Sequence, residues 1–342
     1  LIQEQVRFLG QAPEALRSLR GEALYEQLRS LDLCHAHYFR ALDTNVQAYC
    51  AQEFGIDLDR ITVDRFFQSD PNAKWLFPDI VRESVLTGLR RKPFYPGLIS
   101  GDEHINGGAF NLPYVQEDAD EESMRTLAEG GAIPESSITY GDRVVRLDKR
   151  GRGVIASYEV VRRMSMDMLR VHLERIGERL GRDLDARLVQ VLVEGDGSSG
   201  TLPESLESRE FGQWNYDDLI KGFLHLGQRN YFTPTHFIVD MGSAEKLLNL
   251  PEIKDAGIFE FTKSGKLPAP LGMNMVVSPD QPSKHITILD AQYAAQKVTE
   301  QELLVESDKL IHQQWERTYL TVVTDFAILY DKARILLSNE WD

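Results

Sequence analysis

At 342 residues the chain can hold one sizeable core or two modest ones, and 42% hydrophobic with 27% charged residues is a folded composition that excludes a disordered chain. Against 38 lysines and arginines stand 53 aspartates and glutamates, a formal charge of −15 that repels polyanions and opposes dedicated nucleic-acid binding by bulk charge, leaving only local or passive contact. No apolar run approaches the ~18 residues of a membrane span, no basic and apolar leader is visible, and the only two cysteines, Cys34 and Cys50, read as buried thiols of a reducing compartment.

Residues 13–54 read as helix: Pro13 suits a first turn, Leu24, Leu28 and Leu31 share a face, Gly21 is a candidate break and Gly55 a stop. Across 61–100, Pro71, Pro78, Pro93 and Pro96 leave room only for a short helix from about Pro78 to Leu89. Phe66, Phe67, Trp75, Leu76 and Phe77 crowd this otherwise extended chain, which predicts an arm docked on its own body or on a neighbour. Residues 101–132, with the acidic run EDADEES, read as a solvated connection plus strand and carry no candidate site.

The segment 133–164, IPESSITYGDRVVRLDKRGRGVIASYEVVRRM, runs from strand through a basic, glycine-broken patch into a helix. That helix is predicted from Tyr158 to about Glu194: Leu169, Leu173, Ile176, Leu180, Leu184, Leu188 and Val191 recur at three- and four-residue steps, giving a rod of roughly 55 Å at 1.5 Å per residue. From 216 onward YDDLIKGFLHLGQRNYF reads as helix, PTHFIVD as strand, GSAEKLLNL as helix, LGMNMVVSP and HITILD as strands, and QQWERTYLTVVTDFAILYDKARILL as long strands turning near Asp331. The elements do not follow a strict βαβ repeat, which predicts an α+β fold.

The KRGRG run, Lys149 to Gly153, is not a phosphate loop, because no lysine followed by serine or threonine closes it. Arg143, Arg146, Lys149, Arg150, Arg152, Arg162 and Arg163 lie close together, but no aromatic side chain interleaves with them between Gly141 and Ser157 to stack a base. The favoured reading is a β-hairpin whose arms lie near SSITYGDRVVRL and RGRGVIAS, with its cations set against carboxylates of a neighbouring copy. Cys34, His35 and His37 do not share a helical face as metal ligands would, and the scattered histidines form no nucleophile–base motif, so no metal, cofactor or catalytic residue is assigned. Gly177 and Gly181, four apart in the rod, cost helix stability and predict close approach of another backbone, while Arg170, Glu174, Glu178 and Arg182 are spaced for i to i+4 pairs.

The ordered set of elements resembles the major capsid proteins of tailed bacteriophages, whose fold is shared with encapsulin nanocompartments. FFQSDPNAKWLFPDIVRESVLTGL is similar to that family's N-terminal arm and IPESSITYGDRVVRLDKRGRGVIAS to its extended loop. The run from Tyr158 to Gly197 is similar to its spine helix, NYFTPTHFIVDMGSAEKLLNL to its axial domain, and QQWERTYLTVVTDFAILYDKARILL to its returning strands. The resemblance implies five regions: an arm with helices over 1–132, an extended loop over 133–157, the spine of a peripheral domain over 158–199, an axial domain over 200–297, and returning strands over 298–342.

It also implies a structural, non-enzymatic role in the virion, assembled in the host cytoplasm, as hexamers and pentamers of an icosahedral shell around a phage genome. Arg143, Arg146, Lys149, Arg150 and Arg152 become candidate inter-subunit contacts, Gly151 and Gly153 a loop hinge, Gly177 and Gly181 spine packing, and Phe66, Phe67, Trp75 and Phe77 arm anchors. The implied partners are other copies of the chain, with scaffold, portal and decoration proteins and packaged DNA touched without specificity; no membrane is involved. The lysine–asparagine crosslink of some members is not carried over, since nothing identifies an asparagine partner for Lys149. An encapsulin-like shell around a protein cargo, and a soluble two-domain α+β enzyme, are the competing readings.

Overall fold

Left-handed backbone at Gly21 (φ 59°) and Gly55 (φ 65°) cuts the N-terminal helical pattern into separate pieces. The structure, a computed structural model, describes residues 16, 19–30, 38–39, 42–115, 138–198, 201–254, 270–310 and 315–340. Cys34, His35 and His37, read as structural and not as metal ligands, lie outside them. Helix α1 is Glu22–Ser30 and α2 is Val46–Phe54. Asn45 caps α2 by accepting from the Ala48 amide at 2.7 Å, and Gly55 closes it by donating to the Cys50 carbonyl.

The short helix expected from about Pro78 to Leu89 is α4 (Phe77–Arg91), but the stretch before it, expected to be extended, is also largely helical: α3 is Val63–Ser69 and a 3₁₀ turn covers Ala73–Leu76. The prolines do not prevent this, because Pro78 falls in the first turn of α4, where no intrahelical amide donor is needed. Phe66 and Phe77 are buried in one core with Leu24, Leu28, Cys50, Ile80 and Val85, and Phe67 packs against it. The Trp75 ring lies 5.3 Å from that of Tyr25. Phe66 and Phe77 thus pack into a helical cluster of this chain, the first of the two alternatives for these side chains, with Phe67 and Trp75 half-buried, and the segment is compact and not an extended arm.

Strands β1 (Asp102–His104) and β2 (Ala109–Val115) precede β3 (Ile138–Arg146) and β4 (Lys149–Ser157). The ribbon expected between the two halves of 138–157 has different arms. β3 pairs antiparallel with β2, with a register irregularity between Asn111 and Pro113, and β4 lies beside β10 (Trp315–Ile328). Only Leu147 and Asp148 separate β3 from β4, and the chain spends them on moving between sheets.

The expected single rod is two helices, α5 (Tyr158–Arg163) and α6 (Met166–Glu194). Met164 adopts extended backbone (φ −75°, ψ 135°), Ser165 forms a bridge with Thr62, and the Ser165 hydroxyl accepts from the Met168 amide, starting α6 afresh. Its 29 residues make a helix of about 44 Å.

Beyond α6 come β5 (Glu204–Glu207), α7 (Tyr216–Leu224) with a π-helical turn His225–Arg229, β6 (His236–Val239), α8 (Met241–Leu248), β7 (Asn274–Val277), β8 (His285–Leu289), β9 (Ala295–Leu310) and β11 (Arg334–Ser338). A five-stranded sheet has the order β5-β11-β8-β6-β7, and a four-stranded one β1-β9-β10-β4. β11 was expected to return beside the spine. It instead sits between β5, parallel, and β8, antiparallel, because Arg334, Ile335, Leu337 and Ser338 are all buried and a strand covered on both faces belongs in a sheet interior.

The chain forms two compact units, each built from three stretches: 1–93, 149–182 and 301–322 in the first, and 94–148, 183–300 and 323–342 in the second. The expected contiguous regions are thus regrouped, since α6, β9 and β10 each contribute residues to both units. The first unit holds the core of α1–α4 with Met166, Leu173, Leu303 and Leu320; the second holds a core of Trp214, Leu219, Phe237, Met273, Ile288, Ile335 and Leu337 around the five-stranded sheet.

Candidate assembly surfaces

Alternation along β3 leaves Val144 and Arg146 exposed and buries Val145, so the Arg146 guanidinium stands free of the core. Arg143 lies in the same strand, with its side chain outside the described residues. On β4, Lys149 and Arg152 are exposed and Arg150 is half-buried, its Nε buried with no hydrogen-bond partner among the described residues. The five candidate contact residues therefore divide between two strands of two different sheets.

Gly151 and Gly153 sit inside β4 and not in a bending loop, and neither has positive φ. A Cβ at Gly151 would lie 3.1 Å from the Leu320 carbonyl oxygen, and one at Gly153 would lie 3.1 Å from the Tyr319 ring. Their service is close approach of β10, which corrects the expected hinge.

Gly177 and Gly181 face α4 of the same chain. A Cβ at Gly177 would fall on the Val85 carbonyl and 2.8 Å from the Leu89 amide nitrogen; one at Gly181 would lie 3.3 Å from the Leu89 carbonyl oxygen. Gly88 completes the contact from the α4 side, where a Cβ would fall on the carbonyl group of Glu174. The i to i+4 pairs expected along α6 give way to other partners: Arg170 reaches Asp59 at 2.9 Å, Arg91 lies 3.6 Å from both Glu174 and Glu178, and Arg175 pairs with Glu178.

Sequence reasoning missed a set of buried polar residues in the second unit, along the later part of α6. Asp185, 5% exposed, accepts from the Phe94 amide at 3.1 Å and the Tyr95 amide at 2.9 Å. Burial pushes its carboxyl up to about 6, with Asp280 adding to the rise and the two amides opposing it. Arg187 forks onto Asp325 at 2.8 and 3.0 Å, and that pairing raises the guanidinium further. Burial acts to raise the Asp196 carboxyl, but hydrogen bonds from Ser198 and the Ile328 amide outweigh it and hold it below its ordinary value.

Arg334 is fully buried and donates to the carbonyls of Leu192, at 2.8 Å, and Thr201, so a cation satisfies the last turn of α6. The signals were an acid beside Leu184 in an apolar helix stripe and an arginine opening an apolar strand; the partners lie 90 to 142 residues away. Cys50, in the first core, has its thiol pushed up to about 12 by burial, and is inert packing. No group of three histidine, cysteine or acidic residues that could hold a metal ion occurs among the described residues.

Comparison with known proteins gives two findings. A family model described as phage capsid protein matches residues 140–329. Among solved structures, a virus-like particle from Pyrococcus furiosus aligns over 76% of this chain and 98% of its own, with 12% identity and a TM-score of 0.53. The capsid of cyanophage P-SCSP1u aligns over 73% and 88%, with 13% identity and a TM-score of 0.53. The capsid of a native GTA particle aligns over 72% and 90%, with 14% identity and a TM-score of 0.52. At these identities the structures establish a shared fold. No curated protein sequence matches the chain.

Proposed function

The chain belongs to the phage capsid protein family and is a structural capsid protein, not an enzyme, and from that premise we propose that its copies close into hexamers and pentamers of an icosahedral shell around a phage genome. The family match over 140–329 carries this reading, and the capsid shells among its structural neighbours support it. Arg143, Arg146, Lys149, Arg150 and Arg152 are then contacts to a neighbouring copy. A chain with 53 acidic and 38 basic residues supplies carboxylates for them in excess. Each contact is modest, but the shell repeats it in every copy, so multivalency holds the particle together.

The formal charge of −15 suits a wall that encloses DNA without gripping it, and contact with the packaged genome is non-specific. Scaffold, portal and decoration proteins are further partners in this reading, with assembly in the host cytoplasm. Negative-stain electron microscopy of the purified protein, with the ratio of absorbance at 260 and 280 nm on the same particles, tests it. Closed shells with nucleic acid or a tail are expected. Closed shells holding a protein cargo and no genome would replace the phage particle with a nanocompartment, and small discrete oligomers under every salt and scaffold condition would overturn the shell itself.

A further inference from the structure

Within the first unit, β4, β10 and the 301–310 part of β9 are consecutive strands of one sheet, and both outer edges of that stretch are open among the described residues. β4 has β10 on one side and no described strand on the other. β9 is covered by β1 only at residues 297–299, so from Glu300 onward its outer edge has no described strand partner. The two edges carry opposite charge. β4 holds Lys149, Arg150 and Arg152 and no acid, whereas β9 presents the exposed acids Glu300, Glu302 and Glu306 in alternation with buried Leu303. Gly151 and Gly153 are exposed, so the β4 backbone is open to a partner strand.

Resting on the reading of the chain as a shell subunit, we propose that β4 of one copy pairs edge to edge with the stretch of β9 beyond Thr299 in a second copy, continuing the sheet across the boundary. Backbone hydrogen bonds supply the affinity, and cations opposite carboxylates supply the register. Pairing β4 with β4 would set like charges face to face, so the contact joins two different edges. Such a heterologous contact closes into rings when the rotation between copies permits.

Lysines and arginines on an edge strand commonly serve a blander purpose, blocking unwanted pairing. That role needs no acidic counterpart on the opposite edge of the same sheet. Glu302 already pairs with Arg82 at 2.9 Å within the chain, which leaves Glu300 and Glu306 as the main counterparts of the incoming cations.

The test uses the full chain and two kinds of variant. Arg152→Glu and Glu306→Lys, at exposed positions, each lower the yield of closed shells about tenfold or more, and the double variant restores it to within about twofold of wild type. Independently, Ile155→Cys combined in turn with Glu300→Cys, Leu304→Cys or Glu306→Cys gives, on oxidation, a ladder of ascending oligomers on a non-reducing gel in at least one combination. A ladder requires each copy to use both edges. Single reversals that assemble at wild-type yield, a double reversal no better than the singles, or crosslinks that stop at dimers would each overturn the pairing. A ladder without closed shells keeps the edge pairing and sinks the shell reading; closed shells with neither ladder nor rescue do the reverse.

Discussion

Replacing Asp185 with asparagine separates the two things this residue does. Its Oδ1 accepts both the Phe94 and Tyr95 amides, and asparagine retains that acceptor; its charge is held in a 5% exposed site, and asparagine removes it. A carboxyl that ionises near 6 in the fold and at its ordinary 3.8 in the unfolded chain is held by the fold in its protonated form. Stability from this group is therefore present at pH values below about 4 and is lost as pH rises through about 6. Once charged, it costs about 3 kcal/mol. Asp185→Asn is expected to match wild type near pH 4 and to be about 2–3 kcal/mol more stable near pH 8. Urea unfolding of the dissociated subunit at both pH values reads this directly, and Asp280→Asn gives a smaller change of the same sign, since Asp280 adds to the rise. A variant less stable than wild type at pH 8, or equally displaced at both pH values, would refute the account and make the ionised carboxylate the partner the two amides require.

Two further predictions concern the middle and the C-terminal end of α6. Gly177→Ala would gain about 1 kcal/mol from helix propensity alone, yet its new methyl falls on the Val85 carbonyl, so a net loss of about 1–3 kcal/mol is expected by chemical denaturation; stabilisation would mean α4 can move away freely. Arg334→Met removes both donors to the Leu192 and Thr201 carbonyls and leaves them buried, so a loss of about 3 kcal/mol is expected, and near-wild-type stability would show that water or another donor satisfies them.

What the sequence made legible follows from which forces are local. The stripe from Leu169 to Val191 and the alternating HFIV and HITIL strands advertise their state, because one face of each must be buried and the period is set by neighbours on the same element. Of the helices over 61–91, α4 was legible because Pro78 is harmless in a first turn, whereas α3 was hidden, its crowded aromatic side chains ahead of Pro71 reading as extended chain. Strand partners were less legible still. Arg143 to Arg152 read as one cationic patch, and the assignment of β3 to β2 and β4 to β10 was set by pairings with segments some 30 and 170 residues away in the sequence. The residues of β9 did not mark it as a strand by themselves, because its exposed face is acidic and no run of β-branched residues occurs, and only the resemblance placed returning strands over 298–342.

α6 is held by different physics along its length. In the first unit small residues let backbones touch: Gly177 and Gly181 against α4, and Gly88 against α6. Such contact is sensitive to bulk but indifferent to direction, and any added atom disturbs it. In the second unit the same helix is fixed by directional bonds, with Arg187 forked on Asp325, Asp185 on two amides and Arg334 on the Leu192 carbonyl. Desolvation offsets much of what such buried bonds contribute, and at Asp185, whose carboxyl is raised, the ionised form is a net cost, although removing one partner alone is expensive because the other is left buried and unpaired. Their consequence is geometric: a helix tethered at Asp185, Arg187 and the Leu192 carbonyl cannot rotate about its axis by even one residue without orphaning a buried charge. A subunit whose edges have to meet those of identical neighbours in a closed ring needs that fixed geometry more than it needs the last few kcal/mol of stability.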